Sequence, residues 1–273
     1  MVSRRLSALF DEQRNNQRKK KIEREHQLND ALVPLPSVRP RALTIPFSQE
    51  AQPPPQGKRQ QRPQRTEEQG QSLFFTMLPP EIRTKIYMMV LGGHLLKILK
   101  DDRARYVKWI AQERSLLNLP KTCRRIYSEC IDLLYSHNTF FFNDFDTILW
   151  FASTVLPQRL AVVRSLHVEW DCVCFWLPHL QPPPPFDKAT WFEVWKVIRS
   201  MRGLRELTVR IWNGPKMDAR TEIDVFQPLT EVRGLKRFEL ELPWRYQGDG
   251  DEGHENAPFR IRRVHRKWDP TPF

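Results

Sequence analysis

Three stretches of the chain repeat one pattern, and that repeat limits the fold more than any other feature: "VVRSLHVEW" at 162–170, "GLRELTVRIW" at 203–212 and "GLKRFELELPW" at 234–244. Aligned, they superpose Val163, Leu204 and Leu235, then Leu166, Leu207 and Phe238, then Val168, Val209 and Leu240, while Ile211 and Leu242 extend the last two. Apolar and polar residues alternate with period two, so each copy reads as a strand with one buried face. The last two copies share an Arg-Gly-Leu lead-in, at 202–204 and 233–235. A helical segment precedes each strand, starting near Asp144, Asp187 and Thr221. Strand, helix and strand in short succession predict right-handed crossovers and a parallel sheet, with "TFFF" at 139–142 as its first strand. Leu166 to Leu207 is 41 residues and Leu207 to Phe238 is 31, so the repeat is irregular, and the longer gap holds the proline loop "PHLQPPPPF".

The residues between the apolar positions fall into rows, His167, Thr208 and Glu239 in one and Glu169, Arg210 and Glu241 in the next. Neighbouring strands lie about 4.8 Å apart, which predicts a side-chain ladder on one exposed face with Arg210 between two carboxylates. Glu169, Arg210 and Glu241 are therefore candidate residues for a protein client.

Ahead of this region lies a segment of different composition. Residues 1–72 hold 14 Lys and Arg against 8 Asp and Glu, a net of +6 out of the chain's +12. Leu6, Leu9 and Phe10 share one face of a short helix predicted within 3–30, and the stripe then dissolves into Arg18-Lys19-Lys20-Lys21, a run that reads either as solvated charge or as a nuclear-import signal. Val33 to Gln71 is rich in Pro, Gln and Arg, too poor in apolar residues to offset the entropy of ordering, and reads as disordered linker. The last basic cluster, Arg260, Arg262, Arg263, Arg266 and Lys267, falls in 246–273, read as a flexible basic segment.

Between the linker and the repeat, residues 73–138 read as a helical module. In "LPPEIRTKIYMMVLGG" (78–93) the two prolines suit a helix start, Glu81 complements the helix dipole, and Gly92-Gly93 ends the helix. Ile82, Ile86, Met89 and Val90 fall on one face and Arg83, Thr84 and Lys85 on the other; the stripe meets either this chain's own second helix or a partner, with Ile86 expected in the core. A second helix follows Thr122 as N-cap, with Cys123, Ile126, Tyr127, Cys130 and Leu134 on one face. Residues 94–118 stay ambiguous between strand and helix.

"LPPEIRTKIY" resembles the first helix of an F-box, the module by which many proteins attach to the Skp-type adaptor of cullin-RING ubiquitin ligases. With "LLNLPKTCRRIYSECIDLLYSHNTFFF" (116–142) it resembles a group of uncharacterised filamentous-fungal proteins that share an F-box-like start, a "TCRxIYSE" helix, an "LYSxNTF" turn and an irregular α/β remainder. The resemblance covers roughly residues 73–245. It implies a leucine-rich-repeat-like stack behind an adaptor-binding helix, with Leu78, Pro79 and Ile82 as candidate adaptor contacts. In ordinary F-boxes the closing Cys-Arg-Arg helix follows the opening directly, whereas here residues 94–118 intervene.

Motifs for other chemistry are weak. Cys172 and Cys174 with His167 or His179 lack the second paired knuckle of a zinc site, and Cys123 and Cys130 sit on an apolar helix face. "DGDEG" at 249–253 lacks the ligand positions of a calcium loop. No Gly-rich phosphate loop, Gly-x-Ser-x-Gly elbow or His-Glu-x-x-His is present, so neither catalysis nor a metal or cofactor is implied. No eighteen-residue apolar run and no secretory pattern occur, and the four Cys make no disulfide framework, so the expectation is an intracellular protein, nuclear or cytoplasmic, with reduced thiols. The fold class expected is α/β: F-box-like helices, then a parallel-stranded repeat stack over 139–245, behind a disordered tail. The function expected is non-enzymatic protein interaction. Two readings stand beside it: a nuclear nucleic-acid-associated protein using its basic ends, and a structural domain whose F-box-like helix is core.

Overall fold

The computed structural model describes residues 69–101, 106–110, 116–171, 187–212, 219–243 and 256–263. Helices α1 (Leu73–Met77) and α2 (Pro80–Leu91) lead into strands β1 (Leu95–Asp101) and β2 (Tyr106–Ile110); α3 (Arg124–Ser136), β3 (Thr139–Phe142), α4 (Phe145–Thr154), α5 (Pro157–Leu160), β4 (Ser165–Asp171), α6 (Lys188–Ser200), β5 (Glu206–Trp212), α7 (Ala219–Thr230), β6 (Arg237–Leu242) and β7 (Arg260–Arg263) follow. The tail over 1–68, the cysteines Cys172 and Cys174, His179 and the acidic loop at 249–253 lie outside the described residues.

One seven-stranded sheet orders the chain as β2-β1-β3-β4-β5-β6-β7. β2 is antiparallel to β1 and the other six strands are parallel. Each crossover steps to the next position in the same direction, so the helices gather on one face of the sheet. That face presents Leu96, Ile98, Phe140, Phe142, Leu166, Val168, Trp170, Leu207, Val209, Ile211, Phe238, Leu240 and Leu242, all buried. The register predicted from the repeat is the one observed: Leu166 pairs with Leu207 and Leu207 with Phe238, then Val168 with Val209 and Val209 with Leu240.

The core between sheet and helices is strongly aromatic. Trp170 stacks on Trp191 of α6 with ring centroids 4.4 Å apart, Phe145 of α4 sits 4.7 Å from each, and Trp195 approaches Phe238 at 6.4 Å. The indole of Trp191 donates to the Val225 carbonyl of α7 at 3.0 Å, which satisfies its polar atom and ties two helices together. Trp170 is thus part of the core. Cys130 is fully buried in α3, and burial pushes its thiol up to about 12, the environment of an inert packing residue.

Two features depart from the sequence reading. The segment 94–118 supplies β1 and β2, and β1 pairs directly with β3, so residues from both sides of the 138/139 boundary share one sheet. Within 246–273, Arg260–Arg263 form a regular strand paired with β6. It is anchored on the helix side by Arg263, whose guanidinium donates to Glu222 of α7 at 3.0 Å, and Glu222 is 0% exposed. A carboxylate so deeply buried is tolerable because it is paired.

The shared Arg-Gly-Leu lead-in has a local cause at each copy. Gly234 takes φ +79°, a backbone conformation that glycine adopts without strain. At Gly203 the constraint is space: a Cβ there would lie 2.4 Å from the Ala161 carbonyl oxygen and 3.0 Å from that of Val163. Gly203→Ala is therefore expected to cost about 2 kcal/mol, since backbone must move to accept it. Urea denaturation checks this, and a variant with wild-type stability would show that the α5–β4 turn yields freely.

Candidate functional site

Helix α2 holds the residues that the resemblance singles out, and the core expected at Ile86 is formed instead from the neighbouring strip of the helix. Its buried residues are Arg83, Tyr87 and Leu91, at i, i+4 and i+8. Ile82 is 41% exposed, Met89 84% and Val90 42%; Ile86 is half-buried and outside the hydrophobic core. Helical periodicity correctly finds an apolar face, but that face does not meet the core.

The reason lies in α3. Arg83 donates to both oxygens of Glu129, Nε to Oε2 at 2.9 Å and Nη2 to Oε1 at 3.0 Å, and its third nitrogen Nη1 donates to the Leu78 carbonyl at 2.7 Å. The Tyr87 hydroxyl donates to Glu129 Oε2 at 2.9 Å, and Arg125 Nε reaches Oε1 at 3.3 Å. Phe75 of α1 lies under both guanidiniums, 4.2 Å from Arg125 and 5.4 Å from Arg83. Burial alone would raise the Glu129 carboxyl, but the hydrogen bonds from Arg83 and Tyr87 and the charge of Arg83 outweigh it and hold the group below its ordinary value. Burial together with the Glu129 hydrogen bond pushes the Tyr87 hydroxyl up. A bidentate pair with every partner engaged is the form in which an arginine can face inward. The "Arg" and "Tyr" of "EIRTKIY" and the second "Arg" and the "Glu" of "TCRRIYSE" are this cluster.

A second clamp closes the far end of both helices. Asn138, 3% exposed, donates through Nδ2 to the Leu91 carbonyl at 2.6 Å and to the Leu134 carbonyl at 2.8 Å, and its Oδ1 accepts from the His94 amide at 2.8 Å. One side chain thereby caps α2, caps α3 and fixes the entry to β1. Cys123, rather than Thr122, is the N-cap of α3, its sulfur accepting from the Ile126 amide at 3.4 Å.

With the polar face so engaged, the outer side of α1 and α2 presents Leu73, Met77, Ile82, Met89 and Val90 to solvent. Of the candidate adaptor contacts, Leu78 is half-buried, Pro79 is the exposed N-cap of α2 and Ile82 is exposed. The three therefore sit at the start of this apolar face.

The other candidate surface is the face of the sheet without helices. The register places Glu169 beside Arg210, Arg210 beside Glu241 and Glu241 beside Arg262. Arg210 lies between two carboxylates: Nη1 donates to Glu169 Oε1 at 2.6 Å and Nε to Glu241 Oε2 at 2.7 Å. His167 Nε2 is 3.6 Å from Glu169 Oε1, beyond hydrogen-bond length, and its ring meets the edge of Phe141 at 5.0 Å. Burial would raise Glu169, but His167 and Arg210 outweigh it and hold it down. The adjacent row runs His167, Thr208, Glu239 and Arg260. Sequence reasoning missed the β1–β3 end of this face, where Phe141 is buried beside Lys97 and His167.

Among the described residues no group of three or more His, Cys, Asp or Glu is placed to hold a metal ion, and no helix is long and apolar enough to cross a membrane. No curated protein and no solved structure matches the chain. A family model described as a domain of unknown function, DUF7730, matches residues 67–116 and 108–264, a span that contains both helix clamps and every strand of the sheet. The chain belongs to the family of the domain of unknown function DUF7730.

Proposed function

We propose that this protein is a non-enzymatic interaction module in which the outer face of α1 and α2 docks a Skp-type adaptor of a cullin-RING ubiquitin ligase, while the sheet presents a client surface. What supports the reading is the two-sidedness of α2: Tyr87 and Leu91 are buried in the core beside Arg83, whose charge is partnered by Glu129, and a second apolar set, Ile82, Met89 and Val90, is left exposed. Large apolar side chains left exposed along one stripe of a helix mark an interaction site. Leu78, Pro79 and Ile82 open that surface. The adaptor is the partner that the F-box-like resemblance of the opening implies, and the parallel strands behind it offer the client surface.

The full chain, affinity-purified from its native cell, is expected to bring down the adaptor and a cullin. Ile82→Asp/Met89→Asp is expected to lose both while remaining folded, because a charge on a docking face is desolvated only in the complex. Retention of the adaptor by the double variant overturns the reading, as does a wild-type chain that brings down neither subunit.

A further inference from the structure

The charge ladder of the helix-free sheet face, in which Glu169 is buried and Glu241 nearly so, stops at an edge that is chemically unfinished. Along one row the residues run Glu169, Arg210, Glu241, Arg262, alternating in sign from β4 to β7; the next row ends Glu239, Arg260. Every charge inside the ladder has an opposite neighbour on one or both sides. Among the described residues β7 is the last strand, with nothing paired on its outer side. Among the described residues Arg262, its side chain 58% exposed, engages acidic partners through one nitrogen, Nη1, at 3.3 Å from Glu241 and 3.9 Å from Glu239. A guanidinium carries five N–H donors in a fixed fork, so toward the described residues Arg262 has donors to spare. Arg260 is exposed and makes no ion pair among the described residues. Between the two, Ile261 is half-buried toward the helix side.

We propose that the outer edge of β7 accepts an extended acidic segment of a partner protein as an eighth strand. A parallel-sheet edge offers a row of free backbone donors and acceptors, and a strand added there gains main-chain hydrogen bonds, with specificity set by alternate side chains. Continuing the ladder requires carboxylates at i and i+2 beside Arg260 and Arg262, and an apolar residue between them beside Ile261. This Glu-apolar-Glu pattern is the one that already fits the inner side of β7, where Glu239, Leu240 and Glu241 of β6 face Arg260, Ile261 and Arg262. The rigid placement of β7 by the Arg263–Glu222 pair and by Phe259, whose ring lies 5.2 Å from Phe238, keeps the edge formed before a partner arrives. The site lies at the opposite end of the sheet from α1 and α2, so it stands or falls apart from the adaptor reading.

The probe is the peptide Phe-Glu-Leu-Glu-Leu, the sequence of residues 238–242, acetylated, amidated and labelled for fluorescence anisotropy with the full chain. The expected result is saturable binding that weakens at least ten-fold in Arg260→Glu/Arg262→Glu, and a preference of that variant for Phe-Arg-Leu-Arg-Leu. A peptide methylated on its backbone nitrogens is expected not to bind, which separates strand addition from attraction between charges. If the double variant does not fold, Arg260→Glu alone carries the test, because Arg260 has no ion pair among the described residues to lose. The proposal is overturned if the acidic peptide does not bind, if charge reversal leaves its affinity unchanged, or if the methylated peptide binds equally well. It is also overturned if binding appears only after Asp249, Asp251 and Glu252 are neutralised, since the edge would then belong to this chain's own acidic loop.

Discussion

Replacing Asn138 with Leu is expected to destabilise the fold by about 3 kcal/mol, because two buried carbonyls and one amide lose their partner at once and water cannot replace it. The carbonyls of Leu91 and Leu134 lie in the last turns of α2 and α3, so the loss falls on the two helix ends that meet the sheet. Urea denaturation measures it. Asn138→Asp separates hydrogen bonding from volume: it keeps the acceptor for the His94 amide but turns a carboxylate toward two carbonyl oxygens. That variant should be at least as unstable near neutral pH, and should recover in acid, where protonation restores one donor. Equal stability of wild type and Asn138→Leu would mean that the "LYSHNTF" turn owes its form to packing alone.

Glu129→Leu is expected to have an effect of similar size, about 3 kcal/mol, since removing one partner of a buried pair leaves the other charge uncompensated. Arg83 is 5% exposed and would keep only its bond to the Leu78 carbonyl. The figure sits at the low end of the usual range for broken buried pairs because the Glu129 side chain is 27% exposed and screened by solvent. Arg83→Met added to Glu129→Leu should recover at least about 1 kcal/mol of the sum of the single losses, the signature of direct coupling. The pair also fixes a pH dependence. A carboxyl held below its ordinary value of 4.5 stabilises the folded chain fully above that pH, and the contribution is lost as the pH falls through the lower, folded value. Glu169 and Glu239, also held low, act in the same sense. The acid limb of the stability curve should therefore be shallower in Glu129→Gln than in wild type; parallel curves would remove Glu129 from the account.

How much of this was legible in the sequence depended on whether the determining contacts were local. Strands β4, β5 and β6 and their register could be read because alternation has period two and the Arg-Gly-Leu lead-in pins the phase. Arg210 between Glu169 and Glu241 follows from that register. Strands β1 and β2 could not be separated from helix because short apolar runs fit both periods. β7 was hidden by composition: "RIRR" reads as a solvated charge run until Glu222, 41 residues earlier, is seen to take Arg263 inward. The phase of α2 failed for the same reason. A hydropathy stripe scores Arg83 as surface, and only Glu129, 46 residues away, makes it core. Such pairing across the chain leaves no local periodicity, though an arginine and a tyrosine at i and i+4, Arg83 and Tyr87, beside the stripe of Ile82, Ile86, Met89 and Val90 were a signal that could have been weighed.

The central claim is that α2 gives Arg83, Tyr87 and Leu91 to the fold and its second apolar set, Ile82, Met89 and Val90, to a partner, and Met89→Asp tests it most directly. The account predicts a melting temperature within about 2 °C of wild type, since an exposed substitution away from any packed contact changes stability by no more than about 0.5 kcal/mol. It predicts loss of the adaptor in the same preparation. A variant that unfolds, or one that melts as wild type and still holds its partner at full affinity, would contradict it.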